Sequence, residues 1–220
     1  ENEAATFNIV NQRVVDGTQY FDLAVGSNLI QNIQLGIQGR HNIHNAVAVF
    51  ALGLELGIDI ETIKHSFLTF KGVKRRFEYI VKTDSLIYID DYAHHPKEID
   101  ACLSSVKDLF PEKKITVVFQ PHLYSRTKDF LNDFGISLSN IDEVILLDIY
   151  PARELPIPGI NSNVLLEKIS CKSKMLVDRK ELIPELQNRV LEVLLTLGAG
   201  DINELVSPIN SMLNSKISVN

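Results

Sequence analysis

A chain of 220 residues is long enough for one large domain or two small ones with their own cores. Its 45% apolar and 23% charged content is that of a globular protein, and no apolar run or signal-peptide pattern points to a membrane. The formal charge of −6 argues against a nucleic-acid partner, because phosphate binding needs a basic surface.

Cys102 and Cys171 lie far apart, one in a helical pattern and one beside a short strand. They read as reduced thiols of a cytoplasmic protein rather than a disulfide framework. The first residue is Glu1 rather than Met, and strand-like sequence follows at once, so a piece of a longer protein is expected.

Residues 5–37 alternate apolar and polar side chains, with turn signals at Asp16-Gly17 and Gly26-Ser27-Asn28, and predict an antiparallel meander. Next comes Gly39-Arg40-His41-Asn42-Ile43-His44-Asn45-Ala46. From Ile43 the apolar positions Ile43, Val47, Phe50 and Leu54 share one helical face, and Gly57 ends the helix. Asn42 and Asn45, three apart, project from one side of the first turn. Each amide offers a donor and an acceptor together, as the edge of an adenine ring requires; the plainer reading is that Asn42 caps the helix.

A second short helix starts around Ile58-Asp59-Ile60-Glu61 and runs to about Thr69. The segment Phe70-Lys71-Gly72-Val73-Lys74-Arg75-Arg76-Phe77-Glu78 has four cations among residues 71–76 and no helical stripe, and reads as an interdomain linker. Such a run is either a solvated face or, through the planar fork of arginine, a phosphate clamp.

Beyond residue 78 strands and helices alternate. Strand-like runs occupy 85–90, 115–120, 143–148, 174–178 and 190–197, and helical patterns occupy 96–109, 126–139, 161–169, 184–189 and 201–214. The fold class expected is therefore α/β, a mostly parallel sheet with helices on both faces.

The first of these strands runs into Asp90-Asp91-Tyr92-Ala93-His94-His95-Pro96, and Pro96 suits the first position of the following helix. Polar groups crowded at a strand's carboxyl end lie where open α/β sheets bind ligands, and a helix start there favours an anion. The second strand ends in Phe119-Gln120-Pro121-His122-Leu123-Tyr124-Ser125-Arg126-Thr127, with Ser125 placed to cap the next helix. In a parallel sheet both loops leave the same edge, so Tyr92, His94, His122 and Arg126 are expected to converge. Arginine, histidine and phenol together suit a carboxylate. The loop Ile149-Tyr150-Pro151-Ala152-Arg153-Glu154-Leu155-Pro156-Ile157-Pro158-Gly159 either borders this cleft or merely connects. Thr196-Leu197-Gly198-Ala199-Gly200-Asp201 is weak as a phosphate loop, and close backbone packing explains its glycines equally well.

Gly39-Arg40-His41-Asn42 with Asn45, Gly72-Val73-Lys74-Arg75-Arg76-Phe77, and the three strand-end motifs just described occur in an order that resembles the Mur ligases of peptidoglycan synthesis. Within that family the resemblance is to the branch that joins L-alanine to UDP-N-acetylmuramate. It implies an ATP-dependent acid–amino-acid ligase acting through an acyl phosphate. Residues 1–77 would end a central ATP-binding domain, and residues 78–220 would form a Rossmann-like C-terminal domain.

By the same resemblance Asn42 and Asn45 hold adenine, Arg76 with Arg75 reaches the ATP phosphates, Asp91 bonds the ribose and His94 stands near the phosphates. Tyr92, His122 and Arg126 hold the alanine carboxylate, and Arg76, His94 and Arg126 are the catalytic candidates. No G-x-x-x-x-G-K-[ST] loop or set of Mg²⁺ carboxylates occurs in these residues. Both are expected upstream of Glu1, so the isolated chain is expected to be inactive. Leu123 stands where many members of the family carry arginine, which puts more weight on Arg126. The alternatives are the related ligase that recycles a whole tripeptide, and a non-catalytic module that binds a nucleotide or a partner.

Overall fold

The computed structural model describes residues 6–15, 18–37 and 39–217, without the side chains of Arg40 and His41. The chain divides into two compact units, residues 1–73 with 104–111, and residues 74–103 with 112–220.

In the first unit β1 (Phe7–Val15), β2 (Thr18–Val25) and β3 (Asn28–Leu35) form the expected antiparallel meander, in the order β1-β2-β3. The turn expected at Asp16-Gly17 lies outside the described residues, as does the side chain of His41. Both strand pairs carry a register shift, and Asn11 and Asn32 there take left-handed backbones (φ 51 and 58). Asparagine tolerates that conformation, which lets one strand bulge against its neighbour. Buried Asp22 holds both bulges, accepting from Asn11 Nδ2 at 2.9 Å and from the Asn32 N–H at 2.8 Å.

Alternation places Phe21, Leu23, Ile33 and Leu35 on one sheet face. There they meet Ile43, Ala46 and Phe50 of α1 (Arg40–Glu55) and Ile63 of α2 (Ile60–Thr69). Val47 and Leu54 of the expected stripe pack at the margin of this core. The helix starts at Arg40 after Gly39, so Asn42 stands inside the first turn and does not cap it. α2 is capped by Asp59, whose Oδ1 accepts the Thr62 N–H at 2.9 Å.

The second unit is built on a six-stranded sheet in the order β4-β5-β9-β6-β7-β8. Its strands are β4 (Glu78–Lys82), β5 (Ile87–Asp91), β6 (Ile115–Phe119), β7 (Glu143–Leu146), β8 (Ser173–Leu176) and β9 (Val193–Leu197). β4 runs antiparallel to β5 and every other neighbouring pair is parallel. Every residue of β5, β6, β7 and β9 is buried, which is why these strands read as continuous apolar runs rather than alternating ones.

α3 (Pro96–Leu109) starts at the expected proline, and α6 (Ser162–Lys168), α7 (Leu182–Gln187) and α8 (Asn203–Ile217) follow the expected order. α7 and α8 pack on the face that carries Tyr88, Val118, Ile145 and Leu194. Phe119, pointing the other way, meets Phe134 of α5 (Leu131–Ser139), so helices cover both faces.

Three expectations need correction. β4 is an additional edge strand; only Val81 of its five residues is buried, so its pattern was too weak to separate from the linker. The single helix expected over 126–139 is two, α4 (Tyr124–Asp129) and α5, broken at Phe130, whose ring packs on His95 at 4.5 Å. The last strand begins at Val193, and Val190 is 83% exposed. Among the described residues no helix is long and apolar enough to cross a membrane.

The carboxyl edge of the large sheet is tight around Gly200. A Cβ there would lie 2.6 Å from both Gln120 Oε1 and Tyr150 Cβ. Gly200→Ala is therefore expected to destabilise the fold by about 2 kcal/mol through overpacking. The urea midpoint should fall with the m-value unchanged, and a wild-type midpoint would mean that the edge has room to relax.

Candidate functional site

The site begins where β5 ends. Its last two residues point to opposite faces, and both are carboxylates with fixed partners. Asp90, 1% exposed, accepts from Arg75 Nε at 2.9 Å and from Thr196 Oγ1 at 2.6 Å. Asp91, 4% exposed, accepts the Phe77 N–H on Oδ2 and the Ala93 N–H on Oδ1, each at 2.7 Å. Arg75 also donates from Nη2 to the Gly198 carbonyl at 2.6 Å, and its own carbonyl accepts the Tyr92 N–H at 2.8 Å.

These bonds bear on two sequence-based assignments. Arg75, expected to reach phosphates, is turned inward and bound to Asp90 and Gly198. Arg76 is exposed, stands 5.5 Å from the centre of the Tyr92 ring, and makes no side-chain hydrogen bond among the described residues. The ribose role expected for Asp91 meets a buried carboxylate that two backbone N–H groups already occupy; its structural work is to hold the turn into Tyr92.

From Tyr92 the chain enters α3. Glu98, in the first turn, accepts the N–H groups of His94 at 3.0 Å and His95 at 3.2 Å. Burial pushes the Glu98 carboxyl up, but these two N–H groups and the charges of His94 and Arg76 outweigh it and hold it below the usual range. His94 Nδ1 lies 2.9 Å from the Tyr92 carbonyl. A carbonyl only accepts, so the proton sits on Nδ1 and Nε2 is left to meet a ligand. The His94 ring is edge-on to Tyr92 at 5.2 Å and to His122 at 6.0 Å.

His122 lies at the end of β6, bridged in parallel to Tyr150 and stacked on its ring at 5.7 Å. Arg126 Nη1 lies 3.2 Å from His122 Nδ1. Arginine only donates, so His122 Nδ1 accepts and the His122 proton is on Nε2. Burial, then the charges of Arg126 and His94, hold His122 below the ordinary histidine range, against a smaller pull from Glu154. Tyr92, His94, His122 and Arg126 thus form one contiguous row, with Arg76 beside it.

Ser125 does not cap α4. Leu123 occupies that position at φ 74, without a capping side chain. Instead Glu154 reaches in from the proline-rich loop and accepts the Ser125 N–H at 2.9 Å and its hydroxyl at 2.5 Å. That loop therefore borders the row. The Gly-Ala-Gly turn is explained by packing: Gln120 Nε2 donates to Asp201 at 2.7 Å, Gln120 Oε1 accepts the Ile202 N–H at 2.9 Å, and Arg179 pairs with Asp201.

In the first unit, Asn45 Nδ2 donates to Asn42 Oδ1 at 3.3 Å, with Asn42 buried and Asn45 exposed. Among the described residues no group of three or more His, Cys, Asp or Glu is placed to hold a metal ion. Tyr150, Glu98 and Glu154 were not singled out from the sequence. Glu98 had a signal, an acid in the first turn after Pro96, whereas Glu154 lies 29 residues from the serine it binds.

The model of the Mur ligase glutamate ligase domain matches residues 75–201, more than half of the chain. The chain belongs to the Mur ligase family. It is 47% identical over 215 residues to the UDP-N-acetylmuramate–L-alanine ligase of Flavobacterium psychrophilum, an alignment that covers 98% of this chain and 48% of that protein. The crystal structure of the UDP-N-acetylmuramate–alanine ligase of Thermotoga maritima superposes with a TM-score of 0.81 at 27% identity, over 98% of this chain and 47% of the other. The murein peptide ligase of Psychrobacter arcticus shares the fold, with a TM-score of 0.63 at 17% identity over 96% of this chain and 44% of the other. The chain spans about half the length of the curated relatives it matches. The family is one of ATP-dependent ligases.

Two outcomes test this geometry. Arg75→Ala leaves the buried Asp90 carboxylate without its cation and should cost about 3 kcal/mol, whereas the exposed Arg76→Ala should cost under about 0.5 kcal/mol. Equal effects in chemical denaturation would contradict the inward placement of Arg75. For His122, a folded pKa below the unfolded value of about 6.5 means that stability is retained above pH ~6.5 and lost as pH falls through that value toward the lower folded pKa. His122→Gln should flatten that acid limb below about pH 6.5; an unchanged limb would place His122 outside the pH response.

Proposed function

We propose that this chain is the C-terminal portion of a ligase that joins L-alanine to UDP-N-acetylmuramate, with residues 1–77 ending a central ATP-binding domain and residues 78–220 forming the C-terminal domain. The observation that carries this reading is the row Tyr92–His94–His122–Arg126 at the carboxyl edge of a parallel sheet, where α/β folds receive ligands. A histidine accepting from arginine aims the guanidinium, and that fork suits the carboxylate of a free amino acid. The names of the relatives that match over nearly the whole chain support alanine as that amino acid.

In the proposed chemistry the lactyl carboxylate of the sugar is activated as an acyl phosphate, with ATP as donor. The alanine amine then attacks the acyl carbon; the C–N bond forms and phosphate leaves. This chain's residues hold and orient. Asn45 with Asn42 faces adenine, Arg76 offers the available guanidinium for phosphate oxygens, and His94 presents Nε2 toward them. Tyr92, His122 and Arg126 hold the alanine carboxylate so that its amine is within reach of the acyl carbon, which is how positioning lowers the barrier. Mg²⁺ would offset phosphoryl charge, and its ligands and the phosphate loop are expected outside these 220 residues.

The test is phosphate release by the full-length protein with ATP, Mg²⁺ and UDP-N-acetylmuramate, comparing L-alanine with the tripeptide. Turnover with alanine is expected. Turnover with the tripeptide alone would move the protein to wall recycling, and silence with both would favour a binding module. In the same assay Arg126→Ala should raise KM for alanine by roughly 10- to 100-fold, the worth of a hydrogen bond to a charge, with KM for ATP little changed. Asn45→Ala should raise KM for ATP by roughly 2- to 10-fold, the worth of a neutral hydrogen bond, and leave alanine kinetics nearly unchanged at saturating ATP. Equal effects of Arg126→Ala on both substrates would assign Arg126 to the phosphates.

A further inference from the structure

We infer that Glu154 is a positioning residue of the carboxylate pocket: by capping α4 from another loop, it fixes Arg126 and His122 in their working geometry. This rests on the proposed reading of that pocket. α4 has six residues, too few to hold itself by its own backbone bonds. The residue before it, Leu123, has a left-handed backbone and no side-chain oxygen with which to satisfy the first N–H groups. Glu154 supplies both oxygens, one to the Ser125 N–H and one to the Ser125 hydroxyl.

Four residues earlier the same loop makes a second attachment. The Leu123 N–H donates to the Tyr150 carbonyl at 2.9 Å, the Tyr150 N–H donates to the Pro121 carbonyl at 2.8 Å, and the Tyr150 ring lies on His122. Pro151 and Pro156 flank Glu154 closely and limit how far the loop can yield.

Arg126 follows Ser125 directly, so the first turn of α4 and the guanidinium move together. Because Glu154 is bound to Ser125, it forms no ion pair with Arg126 among the described residues, and the arginine keeps donors for a ligand. This chain has Leu123 between His122 and Tyr124, so Arg126 is the guanidinium that the segment His122–Thr127 contributes, and a misplaced turn moves it directly. A displacement of about 1 Å costs on the order of 100-fold in a positioned reaction.

The experiment uses the full-length enzyme. Glu154→Ala should raise KM for L-alanine by roughly 10- to 100-fold, leaving KM for ATP and kcat at saturating alanine within a few-fold. Glu154→Gln, whose amide oxygen keeps one of the two bonds, should fall between Glu154→Ala and wild type. Ser125→Ala, which keeps the N–H bond and disturbs the fold least, should raise the same KM by a smaller factor. Combined with Glu154→Ala it should add nothing. Unchanged KM for alanine in these variants, or equal losses for alanine and ATP, would overturn the inference.

Wild-type enzyme that ignores alanine would sink the parent reading instead. The inference would then be decided by ¹⁵N NMR of the His122 imidazole. The single Nε2–H tautomer should be lost in Glu154→Ala, and its persistence would overturn the positioning role.

Discussion

The carboxyl edge of the large sheet depends on two adjacent aspartates at the end of a strand with no exposed residue. A carboxylate removed from water is costly unless charge and hydrogen bonds replace the lost solvent. Asp90 and Asp91 resolve that cost by drawing in everything around them: the Arg75 guanidinium, the Thr196 hydroxyl, and the backbone of Phe77 and Ala93. Arg75 and Phe77 both take left-handed backbones, at φ 60 and 51, which cost non-glycine residues on the order of 1 kcal/mol or more each. The two aspartates hold that strained turn closed, and the residue it displays is Arg76, over the face of Tyr92. A buried electrostatic requirement thereby becomes the placement of an exposed cation.

The second half of the row follows a different logic. Nδ1 of His94 donates and Nδ1 of His122 accepts, because one faces a carbonyl and the other a guanidinium. Each imidazole is oriented by a partner that can play only one role, so the two rings are fixed before any ligand arrives. The row is therefore preorganised, and a ligand that met it would find less to order.

Much of this was legible in the sequence, for physical reasons. Continuous apolar runs such as Val117-Val118-Phe119 identify strands buried on both faces, and Pro96 marks a helix start by its missing N–H. Motif order carried the family, and the parallel sheet then required the His94 and His122 loops to share an edge. What was not legible depended on distant partners. Nothing local distinguishes Arg75 from Arg76; only the position of Asp90, fifteen residues on, turns one inward. Ser125 has the chemistry of a cap, yet the left-handed Leu123 moves the helix start ahead of it and Glu154 takes over. Asn42 likewise has the chemistry of a cap but stands in the interior of the first turn. β4 was missed because an edge strand buries too little to show a pattern.

In the proposed ligase this row recognises a carboxylate. The most direct measurement compares L-alanine with L-alaninamide, which keeps the amine and loses the negative charge, as acceptors for the full-length enzyme with and without Arg126. Wild-type enzyme should prefer alanine by roughly 10- to 100-fold in kcat/KM, the worth of a charged hydrogen bond, and Arg126→Ala should abolish most of that preference. A preference that survives the loss of Arg126 undiminished would contradict the account and place carboxylate recognition elsewhere.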